Sequence, residues 1–255
     1  MVNEIFEKLS ALPQVEAIAL GGSRANGVFD EKSDYDVYVY VTDNIDNGVR
    51  ENILAPYCSQ MEIGNHYWEF EDNIILKDGV PMDIIYRPMD KFDKFISYIV
   101  FEHHANHGYT TCFWHNIITS QIVYDPSGKY AEIKKKFTVP YPEELRQNII
   151  DLNMKMLSGI LPSYDKQIKK AIDRNDFVSV NHRIAAFVAS YFDVIFAVNR
   201  LTHPGEKRLV QICKERCEIL PKDFEENLDK LLKEKPTEKI MEVIADMVKN
   251  LKEII

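Results

Sequence analysis

Cysteine is scarce in this chain: Cys58, Cys112, Cys213 and Cys217 are the four among 255 residues, too few and too scattered for a disulfide framework. They are expected to be reduced and mostly buried. No stretch approaches 18 consecutive apolar residues, which argues against a membrane span. The opening Met1-Val2-Asn3-Glu4-Ile5 lacks the basic start and apolar run of a secretion leader. A cytoplasmic location is the expectation. Positive charge is also in deficit, with 31 Lys and Arg against 40 Asp and Glu, a net charge of -9. No general basic field is therefore available to neutralise the successive phosphates of a long nucleic acid. Long nucleic acid and membranes are not expected partners, whereas a local basic patch still suffices for one nucleotide. Hydrophobic residues make up 45% and charged residues 28% of the chain, enough for one large core or two modest ones, in a monomer or a homodimer.

Periodicity divides what remains. Val2, Ile5, Phe6 and Leu9 recur at helical spacing up to Pro13, and residues 15–20 read as a short buried strand. From Asp34 to Val41 the chain alternates, placing Asp34, Asp36, Tyr38 and Tyr40 on one face and Tyr35, Val37, Val39 and Val41 on the other. Residues 67–86 predict a hairpin around Asp78-Gly79, with Asp83 facing away from Met82 and Ile84. Residues 90–137 read as a mixed, largely helical region ending in the turn Tyr124-Asp125-Pro126-Ser127-Gly128 and the basic run 134–136. After Pro140-Tyr141-Pro142 glycine nearly disappears. Apolar residues then keep helical spacing over 143–161, 164–175, 178–201, 206–217, 224–232 and 239–255, the pattern of a helical bundle.

The chemistry is concentrated in Gly21-Gly22-Ser23-Arg24-Ala25-Asn26-Gly27, followed by Ser33-Asp34-Tyr35-Asp36. Two glycines permit a sharp turn and a close backbone approach to a polyphosphate, and Ser23 is suited to cap a short helix. Asp34 and Asp36, two residues apart on a strand, project from one face. Asp83 on a neighbouring strand would complete three carboxylates, as two-metal phosphoryl transfer requires.

This order and spacing resemble the DNA polymerase β-like nucleotidyltransferase superfamily, over about the first third of the chain. Size, acidity and the helical second half are similar to the small-molecule members that adenylylate aminoglycoside or lincosamide antibiotics. A second likeness to those proteins runs from Ala197 to Leu209, through Asn199-Arg200, His203-Pro204-Gly205-Glu206-Lys207. The resemblance implies an α/β (α+β) architecture, a mixed-sheet nucleotidyltransferase domain over 1–138 followed by an all-α bundle over 139–255. It implies Mg²⁺ on Asp34 and Asp36, with Asp83 completing the metal site or acting as general base. Gly22 and Ser23 would hold the terminal phosphates, joined by Lys207 and by a phosphate contact from Arg24. The expected reaction moves a nucleoside monophosphate, AMP from ATP, to a hydroxyl of a small, aminoglycoside-like acceptor with release of pyrophosphate. The alternative is a nucleotide-binding regulatory pseudoenzyme, or a nucleotidyltransferase acting on a protein or RNA partner.

Other features carry blander readings. His103 and His107 would share a helix face, but His104 stands where a metalloprotease helix has glutamate, so surface or acceptor-pocket roles are preferred to zinc. Cys213 and Cys217 read as a buried apolar stripe. Carboxylates beyond the triad, Asp30, Glu31, Glu69, Glu71, Asp72 and Glu102, would repel a phosphate backbone and attract a cationic acceptor, if some lie near the site.

Overall fold

A computed structural model describes residues 1–25, 33–235 and 237–255. It separates into two compact units: Met1–Ser97 with Asn116–Val139, and Tyr98–His115 with Pro140–Ile255.

The first unit opens with helix α1 (Val2–Ser10), which buries Ile5, Phe6 and Leu9, and strand β1 (Val15–Leu20). Then come a single helical turn α2 (Gly22–Ala25), β2 (Tyr35–Val41), α3 (Asn47–Leu54), β3 (Cys58–Asn65), β4 (Glu71–Leu76) and β5 (Pro81–Pro88). Asp46 caps α3, its Oδ1 accepting from Gly48 N at 2.8 Å. Helix α4 (Met89–Val100), whose last residues belong to the second unit, α5 (Cys112–Thr119), which is of the first unit from Asn116 on, β6 (Gln121–Tyr124) and α6 (Lys129–Phe137) follow.

The strands form one mixed sheet in the order β3-β4-β5-β2-β1-β6. The pair β2/β5 is parallel and the other pairs are antiparallel. The expected hairpin is β4 and β5, closed by the turn at residues 77–79, where Gly79 takes φ +87°. One face of the sheet packs Val37, Val39, Ile74, Leu76, Met82 and Ile84 against Ile5, Phe6, Leu9 and Leu54. Full burial of such side chains contributes roughly 1.5–3 kcal/mol each.

The alternation expected of β2 is present, yet the second face does not stay open. Tyr40 is fully buried, its ring 4.5 Å from that of Tyr130 and 5.7 Å from that of Phe92, and Tyr38 is buried beside it. β2 is thus covered on both sides, as the interior of a sheet with a parallel pair tends to be, except at its first residues. Those first residues carry the carboxylates.

In the second unit, α7 (Glu143–Leu157), α8 (Tyr164–Asp173), α9 (Phe177–Val198), α10 (Leu209–Arg216), α11 (Phe224–Lys233) and α12 (Glu238–Lys252) follow the predicted periodicities closely. Helix α9 is its spine, buried at every residue from Ala189 to Val198 and packed against α7 and α8. None of the described helices is long and apolar enough to cross a membrane.

Residues 102–107 depart from the expectation of a helix bearing two histidines. Helix α4 ends at Val100, and His103 takes φ +57°. The carbonyls there are captured by side chains instead. Asn148 Nδ2 donates to His103 O at 2.9 Å and buried Asn153 Nδ2 donates to Asn106 O at 3.0 Å. His103 Nδ1 meets Glu144 at 3.2 Å and His104 stacks on Tyr98. Cys213 is fully buried and Cys217 half-buried, and all four cysteines are free.

Candidate active site

The turn after β1 is built from close backbone contacts. Gly21 N donates to Asp36 O at 2.8 Å, extending the β1/β2 ladder by one bond. A Cβ on Gly21 would lie 2.3 Å from the Tyr38 ring. Gly22 takes φ +63°, and a Cβ there would stand 1.9 Å from Asp36 Oδ2. Glycine is therefore needed at residue 22 twice over, for its left-handed backbone and for the space the Asp36 carboxylate occupies.

The parallel register sets Asp36 of β2 directly beside Asp83 of β5. Asp34 stands one residue before β2, two from Asp36, so the pleat returns it to the same face. One carboxylate oxygen from each of Asp34, Asp36 and Asp83 lies within 4.8 Å of the others, all three residues being half-buried. Among the described residues this is the one group of three His, Cys, Asp or Glu side chains placed to hold a metal ion. Arg24 braces the approach to it. Its Nε donates to Ser33 O at 2.9 Å and Asp34 O at 3.1 Å, Nη2 donates to Ser33 O at 2.6 Å, and the guanidinium lies 3.8 Å from the centre of the Tyr35 ring.

Residues 2–106, which contain the turn and all three carboxylates, match the family model described as Nucleotidyltransferase domain. Over those residues the chain is similar to nucleotidyltransferase domains. Residues 89–209 match a second family model, a domain of unknown function, DUF4037. No curated protein matches significantly. Among solved structures, a nucleotidyltransferase-like protein from Exiguobacterium sibiricum is similar at 10% identity, covering 99% of this chain and 72% of that one, with a TM-score of 0.45. An aminoglycoside 6-adenyltransferase from Bacillus subtilis is similar at 11% identity over 99% and 86% of the two chains, with a TM-score of 0.32. The CCA-adding enzyme of Thermotoga maritima, complexed with tRNA, has 10% identity over 98% and 79% and a TM-score of 0.30. Likenesses this distant decide nothing about the acceptor.

Around Asp34, Asp36 and Asp83 the extra carboxylates divide three ways. Glu71 shares the triad's face, because it pairs with Ile85, two residues along β5 from Asp83. Burial, and next the charge of Asp83, push its carboxyl above the usual range. Glu69 is spent on Arg87, whose Nε and Nη2 reach its two oxygens at 2.8 and 2.6 Å. The Arg87 guanidinium lies 4.3 Å from the Tyr38 ring centre, and Tyr38 OH accepts from Asn116 Nδ2 at 2.6 Å. Desolvation pushes the Tyr38 hydroxyl up to about 12, so it stays protonated. Asp72 lies on the opposite, apolar face, fully buried and paired with Arg50 at 2.5 Å. It belongs to the core and does not line the site. Asn26, Gly27, Asp30, Glu31 and the side chain of Ser23 lie outside the described residues.

Lys207 belongs to the other unit, exposed in the turn that leads into α10. The segment before it is anchored by buried neutral groups. His203 N donates to Thr111 Oγ1 at 2.7 Å, and Thr202 Oγ1 meets His115 Nδ1 at 2.7 Å. Desolvation lowers both imidazoles, His115 to about 4 and His203 to about 3, so neither carries charge near neutrality.

Proposed function

We propose that this nucleotidyltransferase uses a divalent cation, Mg²⁺, to transfer a nucleoside monophosphate from an NTP, with ATP as the expected donor, to a hydroxyl of a small cationic acceptor. The observation that carries the reading is the convergence of Asp34, Asp36 and Asp83 within 4.8 Å beside a Gly-Gly turn. Three carboxylate oxygens are a hard, all-oxygen donor set, suited to Mg²⁺ and not to the softer metals. When bound, Mg²⁺ neutralises the triphosphate and polarises the α-phosphoryl group.

The residues of the chain do the rest by position. Gly22 keeps its backbone free of a side chain, so that the terminal phosphates approach it closely, with Ser23, Arg24 and Lys207 as further phosphate contacts. Asp34 and Asp36 would hold the cation, and Asp83 would either complete that site or take the proton of the acceptor hydroxyl. The acceptor oxygen forms its bond to the α-phosphorus as the bond to the β-phosphate oxygen breaks, and pyrophosphate leaves. Orientation and electrostatic preorganisation supply most of the acceleration. In this reading residues 1–138 carry the chemistry and 139–255 form the helical domain. The net charge of -9 supports a cationic acceptor over a polynucleotide.

The test is pyrophosphate release with ATP and Mg²⁺ across an acceptor panel of aminoglycoside-like polyamines, tRNA and a DNA primer terminus, at about 0.15 M salt. Release with a polyamine alone is expected. Release with tRNA alone would overturn the acceptor assignment, and release with none would favour a regulatory nucleotide-binding protein.

A further inference from the structure

The third carboxylate is held by a side chain that sequence reasoning passed over. Asn73 on β4 stands directly opposite Asp83 on β5, and its Nδ2 donates to Asp83 Oδ1 at 2.7 Å. The other end of the amide is engaged as well, Asn65 Nδ2 of β3 donating to Asn73 Oδ1 at 2.5 Å. A primary amide has two N–H donors and one oxygen, so these partners occupy both ends and determine which end faces Asp83. Asn65 is buried, and the bonded groups sit on three neighbouring strands, so the sheet backbone fixes their positions.

We infer that Asn73 is the positioning residue of the triad: it fixes Asp83 Oδ1, leaves Oδ2 for the cation shared with Asp34 and Asp36, and is itself oriented by Asn65. The inference rests on the metal reading proposed above. Asparagine suits the task because it donates without charge. A lysine or arginine there would hold Asp83 equally well, but its positive charge would repel the cation. Without a fixed partner the carboxylate samples several rotamers, and each binding event must order it again. Loss of such an outer partner typically costs 10–100-fold in metal affinity.

Asn73→Leu separates donation from packing, since leucine is close to asparagine in size, carries no charge and has no N–H groups. The measurement is Mn²⁺ affinity of the full chain, by paramagnetic resonance of free Mn²⁺, in the presence of a non-hydrolysable ATP analogue. The variants are Asn73→Leu, Asn73→Ala, Asn65→Ala and Asp36→Asn, with a thermal melt of each. Both Asn73 variants should bind Mn²⁺ about 10–100-fold more weakly at nearly unchanged melting temperature. Asn65→Ala should lose less, in the same direction. Asn73→Leu binding as tightly as wild type would overturn the positioning role and leave the metal reading standing. Asp36→Asn binding as tightly as wild type would overturn the metal reading and this inference with it. If neither Asn73 variant folds, unchanged affinity in Asn65→Ala overturns the inference.

Discussion

The two faces of one sheet divide the work of the first unit. On one face Val37, Val39, Ile74, Met82 and Ile84 are almost completely buried, and the polar exception, Asp72, is neutralised by Arg50. On the other, the same strands present Asp36, Asp83, Asn73 and Glu71, then close over with Tyr38, Tyr40 and Arg87. Alternation makes the two sets inseparable, because a slip of one residue would carry the carboxylates into the core and the valines into the site. Burial of the apolar face thus holds the register of the carboxylates. The contrast between Asp72 and Asn73, adjacent in sequence and opposite in facing, shows how one step along a strand changes the job of a side chain.

Asp36→Asn should separate the faces most sharply, abolishing transfer by about a thousandfold or more, the several kcal/mol that a metal contributes to charge stabilisation. Its melting temperature should stay close to wild type, and full activity would sink the metal assignment. The mirror experiment is Asp72→Ala on the apolar face. Removing one partner of a buried ion pair costs about 3–5 kcal/mol, so denaturant unfolding should show that loss while the folded fraction keeps its Mn²⁺ affinity. If metal binding falls instead, the two faces are coupled more tightly than their packing indicates.

Lys207→Ala asks whether function extends beyond the sheet. A charge-assisted phosphate contact is worth about 1.5–3 kcal/mol, so calorimetry should find NTP binding weakened about tenfold or more. Unchanged affinity would confine the nucleotide to residues of the first unit.

Asp193 gives an effect spread over a wide pH range. Buried in α9, it accepts from Thr110 N at 3.1 Å and Thr110 Oγ1 at 2.6 Å, and desolvation pushes its carboxyl up to about 7. The native state therefore keeps a proton that the unfolded chain releases near pH 4, as an ordinary carboxylate does. Its contribution is fully present below that pH and is lost as pH rises through about 7. Melting temperatures measured from pH 5 to 8 should fall with a steeper slope in wild type than in Asp193→Asn. Equal slopes would place the ionisation elsewhere.

Much of this was legible in advance. Strands with strong alternation or continuous apolar runs, β1, β2, β4 and β5, stood out, as did the long helices of the second unit, because burial imposes periodicity on sequence. Strands β3 and β6 did not. Cys58–Asn65 lies at the sheet edge with four consecutive exposed residues, and Gln121–Tyr124 at the opposite edge has three exposed residues. Neither buries enough surface to leave a pattern. The sequence assigned Arg24 nothing beyond a phosphate contact, at a position that the resembling family varies freely. Its bonds to the carbonyls of Ser33 and Asp34 depend on where the chain returns, which no local pattern shows.

The sequence by itself determined the chemistry on offer: a Gly-Gly turn, two aspartates two residues apart, a third after a hairpin and a helical second half. These are local facts, written in spacing and alternation. Tertiary structure decided which of them meet. The parallel pairing of β2 with β5 put Asp36 beside Asp83, although 46 residues separate them in the chain. It also decided that Asp72 would serve the core, that Glu69 would be consumed by Arg87, and that Asn73 would face Asp83. Each of those outcomes follows from strand order and register, and these are set by the burial of the whole sheet and not by the few residues at the site.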